Sequence, residues 1–156
     1  MKPAHAGGLH VGRRVELGRA PGERDMADLA LTEEIRGFFE QYTKAFDSID
    51  GNRIAALYYM PTVTMRGDGS IHCLQSREEL ARFFQGVADT YFRDGYRSGS
   101  FKNLQVVPIG GRSALATMDW ELRRADGSVI REWRQSYNVV RVADGWQILV
   151  STFHVK

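Results

Sequence analysis

The chain has 156 residues, 21 Lys+Arg against 19 Asp+Glu, 43% of hydrophobic types and one cysteine, Cys73. That length predicts a single domain able to bury about two-thirds of its unfolded surface, and no apolar stretch approaches the ~20 residues of a membrane-spanning helix. A lone thiol excludes an internal disulfide and a multi-cysteine zinc site, which fits a cytoplasmic protein.

The net charge of +2 sits in residues 1–25, which hold five basic and three acidic groups; the remainder is neutral. The body therefore has no electrostatic footprint for nucleic acid. Residues 1–26, rich in glycine and without periodicity, read as a flexible tail or a start-site artefact ahead of one domain over 27–156. Arg13-Arg14 is followed by no apolar stretch of the kind a twin-arginine export signal requires.

Thr32 with Glu33 and Glu34 predicts a helix start, a hydroxyl cap followed by acids in the first turn. Ile35, Phe38, Phe39, Tyr42, Phe46 and Ile49 then mark one helical face up to a break at Asp50-Gly51-Asn52. A short second helix carrying Ile54, Leu57 and Tyr58 is expected to end at Pro61. Two short strands, Thr62–Arg66 and Ser70–Leu74, flank Gly67-Asp68-Gly69. Ser76 and Glu79 form a capping box before a third helix with Leu80, Phe83, Phe84, Val87 and Tyr91 inward, stopped at Gly95. From Phe101 the period becomes two. Phe101–Ile109, Ala114–Arg124, Val129–Val142 and Trp146–Val155 read as an antiparallel meander separated by Gly110-Gly111, Ala125-Asp126-Gly127 and Ala143-Asp144-Gly145. The fold class is α+β: one curved antiparallel sheet wrapping three helices.

That succession, carried by YTKAFDSIDGNRIAALY, SREELARFF and WRQSYNVVRVADGWQILVSTFH, resembles the nuclear transport factor 2-like superfamily, and within it the SnoaL-like and ketosteroid-isomerase-like branches. The resemblance implies a cone-shaped fold with a cavity between helices and sheet, and often a homodimer packed through the sheet's outer face. It fixes no single activity. Tyr42 matches the isomerases' oxyanion-hole tyrosine, and Asn138 falls where they keep a protonated aspartate. Their catalytic base would fall at Met65 or Arg66, neither of which accepts a proton as a carboxylate does, so isomerase chemistry is not expected.

Strand parity decides which side chains meet the cavity. On the strand Ala114–Arg124, Ala116, Met118, Trp120 and Leu122 should face inward, with Asp119 and Glu121 on a solvated face. Three-residue Ala-Asp-Gly loops would put Arg134, Ser136, Asn138 and Val140 on the wall; two-residue hairpins would put Trp133, Gln135, Tyr137 and Val139 there. The three-residue form agrees with the placement of Asn138 by resemblance and would leave Trp133 and Tyr137 outside for a dimer contact. Either form places Ile148, Val150, Thr152 and His154 inside.

The expected ligand site is therefore Tyr42, Tyr58, Trp120, Arg134, Asn138 and His154, an apolar pocket with a few polar groups for a small oxygen-bearing molecule. An enzyme of isomerase or cyclase type would use Tyr42 and Asn138 as oxyanion donors and His154 as acid/base. A third reading makes the domain a non-catalytic dimerisation or assembly module. A pocket above about 300 Å³ lined by those groups would favour the first two readings. No glycine-rich phosphate loop or metal-ligand cluster is visible, so no cofactor or metal is expected.

Overall fold

The structure is a computed structural model that describes residues 20–156; expectations placed on residues 1–19 lie outside the described residues. Helix α1 (Pro21–Asp47) starts eleven residues before Thr32, with proline in its first turn. Thr32 is thus no cap: its hydroxyl donates to the Asp28 carbonyl at 2.8 Å, one turn back inside the helix. Ile35, Phe38, Phe39 and Tyr42 are buried along one face, as the spacing predicts, with Phe46 and Ile49 partly buried beside them and Ala45 buried as well, whereas Met26 and Leu29 on the added turns are exposed.

Ile49, at φ 53°, ends the run after α1. The Asp50 carboxylate caps α2 (Gly51–Ala55) by accepting from the amides of Asn52 and Arg53. This helix is shorter than its apolar spacing suggested. The aromatic pair Tyr58-Tyr59 opens strand β1 (Tyr58–Met65) instead, with Pro61 inside the strand and β2 (Ile71–Leu74) antiparallel to it. Helix α3 (Arg77–Arg93) begins at Ser76, whose hydroxyl accepts from the Glu79 amide, and is followed by Gly95 at φ 103°.

Strands β3 (Ser98–Ile109), β4 (Ser113–Arg123), β5 (Val129–Val142) and β6 (Gly145–Phe153) form the meander. The six-stranded sheet runs β2-β1-β6-β5-β4-β3; every neighbouring pair is antiparallel except β1 with β6, which is parallel. The helices fill the inner side of this curved, unclosed sheet. No helix among the described residues is long and apolar enough to cross a membrane.

Two bulges decide the parity left open by the sequence. The Ala125-Asp126-Gly127 loop is of the three-residue kind: the Gly127 amide donates to the Arg124 carbonyl, and Gly127 takes φ 83°. Beyond it Arg123 pairs with Val129 but Leu122 with Arg131, so Ile130 is an extra residue and the strand turns over. Trp133, Gln135, Tyr137 and Val139 consequently face the helices, and Arg134, Ser136, Asn138 and Val140 face out. At the other end Val142 pairs directly with Gly145, a two-residue turn. The second bulge lies in β6, where Asn138 pairs with Val150 and Val139 with Ile148, leaving Leu149 over. Ile148 is inward as expected, but past Leu149 the inward residues become Ser151 and Phe153. Val150, Thr152 and His154 move to the outer face.

Gly51 marks the tightest helix contact. A Cβ there would stand 2.2 Å from the Ala81 carbonyl oxygen on α3. Because the neighbour is backbone, Gly51→Ala should destabilise the domain by about 1–3 kcal/mol, read as a lower urea midpoint with an unchanged slope. A wild-type midpoint would show that α2 and α3 can separate freely.

Candidate functional site

The space between helices and sheet narrows to a hollow bounded by Tyr42 and Phe46 of α1, Trp120 and Leu122 of β4, Trp133, Gln135 and Tyr137 of β5, and Phe153 of β6. Its walls are an aromatic stack across three adjacent strands. Trp133 lies 5.3 Å from Phe153 at an interplanar angle of 7°, and 6.4 Å from Trp120 at 25°. The hollow is small, about 30 Å³, on a scale where one water needs about 10–15 Å³. Beside it an open cleft of about 410 Å³ runs between the β1–β2 turn and α3, lined by Arg66, Gly67, Phe83, Gly86, Tyr91 and Arg131 among others. Arg66 and Tyr91 border both spaces. The Arg66 guanidinium donates to the Tyr91 hydroxyl at 3.2 Å and so sits on the threshold between them.

Three buried tyrosines form the floor. The Tyr42 and Tyr58 hydroxyls share a hydrogen bond of 2.8 Å, and Tyr137 accepts from Trp120 Nε1 at 2.9 Å. Burial pushes Tyr42 and Tyr137 well above the ordinary tyrosine range and Tyr58 up to about 12. The positive charge of Arg66 acts in the opposite sense on all three. These hydroxyls therefore remain protonated at neutral pH. Tyr137 keeps its own proton for an acceptor in the hollow. The Gln135 oxygen accepts from Trp133 Nε1 at 2.8 Å, leaving its amide nitrogen without a partner among the described residues.

The structure divides the expected site residues. Tyr42 and Trp120 line the hollow, and Tyr58 lies buried beneath Tyr42. Arg134, Asn138 and His154 do not reach it, because the two bulges turn them to the outer face. There each already has partners. Arg134 donates to Asp119 at 2.8 Å and to Gln105 at 2.9 Å, Asn138 donates to the Ser113 hydroxyl at 2.7 Å, and His154 Nε2 bonds Ser136 Oγ at 2.8 Å. Tyr42 and Asn138 thus share no cavity, and the expected oxyanion pair with His154 as its acid/base is not assembled. Glu121, expected on a solvated face, is buried and ion-paired with Arg123 and Lys102. Among the described residues no three His, Cys, Asp or Glu gather as metal ligands would.

Sequence reasoning missed Arg66, Tyr91 and Phe153 as site residues, and it named Trp133, Gln135 and Tyr137 only in the register it did not prefer. Arg66 had a signal: it stands where the resemblance places a catalytic base. Tyr91 closes the apolar face of α3. For Phe153 nothing local announced the bulge that brings it inward.

Residues 33–155 match the family described as NTF2-like protein (DUF6841). The chain belongs to this family. Several solved structures share its fold. One is a domain of unknown function with a cystatin-like fold from Nostoc punctiforme, 24% identical, covering 81% of this chain and 76% of that one at a TM-score of 0.63. Another is an NTF2-like protein from Novosphingobium aromaticivorans, 19% identical, covering 85% and 84% at 0.65. A third is Aln2 from a Streptomyces species, 14% identical, covering 86% and 91% at 0.65. No curated protein matches the chain. At these identities the likeness establishes fold alone.

The tyrosine floor has a measurable pH signature. A hydroxyl whose folded pKa exceeds its unfolded value of about 10 contributes stability fully present below pH ~10 and lost as pH rises through the folded value. Unfolding free energy should therefore hold through the neutral range and decline above pH ~10. At about pH 11, tyrosinate absorbance should be lower in the folded than in the urea-unfolded protein. Equal absorbance would mean the tyrosines are open to solvent.

Proposed function

We propose that this NTF2-like domain binds a small, flat, largely apolar molecule bearing oxygen, its body in the cleft and one end inserted into the aromatic hollow. The observation that carries this reading is the donor set. The hollow presents the Tyr137 hydroxyl and the Gln135 amide nitrogen as unspent hydrogen-bond donors against aromatic walls. The same set favours binding over proton transfer. General acid–base catalysis needs a group poised near neutrality, and the hollow's titratable residues among those described are tyrosines and Arg66. The inner hollow is far smaller than a metabolite, so the ligand must occupy the cleft as well.

Gly86 offers a direct test. It stands inside α3 on the cleft wall, and a Cβ there would meet nothing within 4 Å. Glycine in a helix interior costs about 0.8–1.0 kcal/mol relative to alanine, so Gly86→Leu should raise the melting temperature by a few degrees while filling the cleft. In a thermal-shift screen of flat metabolites, wild-type hits should vanish in Gly86→Leu. Hits that persist in this variant would place binding elsewhere.

We also propose that the working unit is a homodimer through the outer sheet face. Trp133 and Tyr137 cannot form that contact, since both face inward. The support is instead an exposed apolar strip on β3 and β4, where Val107 pairs with Leu115 and Ile109 follows. Sedimentation should show a dimer that Leu115→Glu separates into folded monomers; a wild-type monomer at every concentration would end this reading.

A further inference from the structure

We propose that the molecule held in this pocket is an organic carboxylate, an aromatic or conjugated acid whose carboxylate is gripped by Arg66 and Arg131 in the cleft that holds its flat body, while its uncharged end reaches into the aromatic hollow. This rests on the pocket reading above and specifies its ligand class.

Both guanidiniums border the cleft, and both lie against one ring: Arg66 is 4.8 Å and Arg131 5.9 Å from the centre of Phe153. Arg66 also lies 5.9 Å from Phe83, and Arg131 5.4 Å from Trp133. A cation–π contact over a ring face uses none of the guanidinium's N–H donors. A guanidinium carries five such donors. Among the described residues, Arg66 spends its side-chain donors only on the Tyr91 hydroxyl at 3.2 Å, and no ion pair involves Arg66 or Arg131.

The β1–β2 turn is shaped to bring Arg131 in. A Cβ on Gly67 would stand 2.8 Å from an Arg131 guanidinium nitrogen and 3.2 Å from the Phe153 ring, so a larger residue there would displace the arginine. Asp68 is the acid on the cleft wall, and its Oδ1 accepts from the Ser70 amide at 2.9 Å and the Ser70 hydroxyl at 2.6 Å. It does not neutralise either arginine, so the cleft keeps a net positive charge.

Both cations border the same cleft and neither is ion-paired, so one bound anion would offset their charge. A carboxylate matches the planar donor fork of arginine, two oxygens to two parallel N–H groups. The unspent donors deeper in, Tyr137 and Gln135, suit a second oxygen at the far end of the same molecule.

The test is a matched pair of probes, trans-cinnamate and trans-cinnamamide, which differ in charge but hardly in shape. Binding is read by tryptophan fluorescence and calorimetry on the full chain. Cinnamate should bind at least about tenfold more tightly than the amide, with an advantage that shrinks at high salt. Arg66→Gln and Arg131→Gln should each weaken cinnamate binding more than amide binding and so reduce that advantage. Arg66→Lys, which keeps the charge but not the fork, should restore only part of it. Equal affinities for acid and amide, both lost in Gly86→Leu, would overturn the carboxylate proposal and leave the pocket standing. Saturable binding of neither probe, or binding indifferent to Gly86→Leu, would overturn the pocket reading and this proposal with it.

Discussion

The interior of this domain is organised by an aromatic stack that no single strand could build. Trp120, Trp133 and Phe153 come from three neighbouring strands, and a pleated strand sends alternate side chains to opposite faces. Their rings can meet only if all three positions share parity. The extra residue at Ile130 supplies this for Trp133, and the extra residue at Leu149 supplies it for Phe153. Without the first, Trp133 would point outward and Arg134 would be forced beneath the helices with its charge. Without the second, Thr152 would take the place of Phe153 opposite Gln135. Each bulge thus exchanges a buried polar group for a buried ring, and burying an aromatic side chain is worth several kcal/mol more than burying an unpaired charge.

The same exchange sets the electrostatics of the pocket. Once rings occupy the inner face, the polar atoms around the hollow include the tyrosine hydroxyls, the Gln135 amide and two indole nitrogens; Tyr42 bonds Tyr58, Trp120 bonds Tyr137 and Trp133 bonds the Gln135 oxygen. None of these groups changes charge near neutrality, and burial drives the tyrosines further from doing so. Arg66 is the charge nearest this floor. Its field runs against the desolvation of all three tyrosines, which makes the threshold positive while the floor stays neutral. Such a gradient would orient the proposed ligand end to end: the charged group outside, the uncharged oxygen within.

The fold was largely legible from the residues. The apolar spacing from Ile35 to Ile49, the Ser76 cap, the meander and the positions of its turns were visible because each rests on local periodicity or turn chemistry. What was not legible follows from longer-range causes. Thr32 and two glutamates look like a helix start, yet Pro21 begins the helix earlier, and the local signal was overridden by continuity of helical residues on both sides. Tyr58 fits the inward spacing of a short helix but belongs to a strand, because β1 finds a parallel partner in β6. The Ala125-Asp126-Gly127 loop was read with the right length, and still the parity came out inverted. A bulge at Ile130 has no turn residue, glycine or charge to announce it; it exists because Trp133 and Tyr137 gain more inside than Arg134 and Asn138 would. Arg134 and Asn138 went to the wrong face for that reason, and His154 followed from the second bulge, at Leu149.

The misplaced half shows how polar residues can imitate a site. Arg134, Asp119 and Gln105 form one bonded set on the outer face, and Thr117, Ser136 and His154 form another beside it; together they include an arginine, a histidine and a carboxylate. By residue type that face is richer in chemistry than the pocket. By geometry it is spent: Arg134 and Asp119 pair with each other, and the bonds of Asn103 and Arg134 hold the Asp119 carboxyl below its usual range. A convex sheet face must leave its polar groups satisfied, since no helix covers them and water reaches only part of the way. The pocket shows the reverse pattern, few polar groups but with donors unspent. In this domain unsatisfied valence, rather than the richness of residue types, separates the hollow from the polar sets of the outer sheet face.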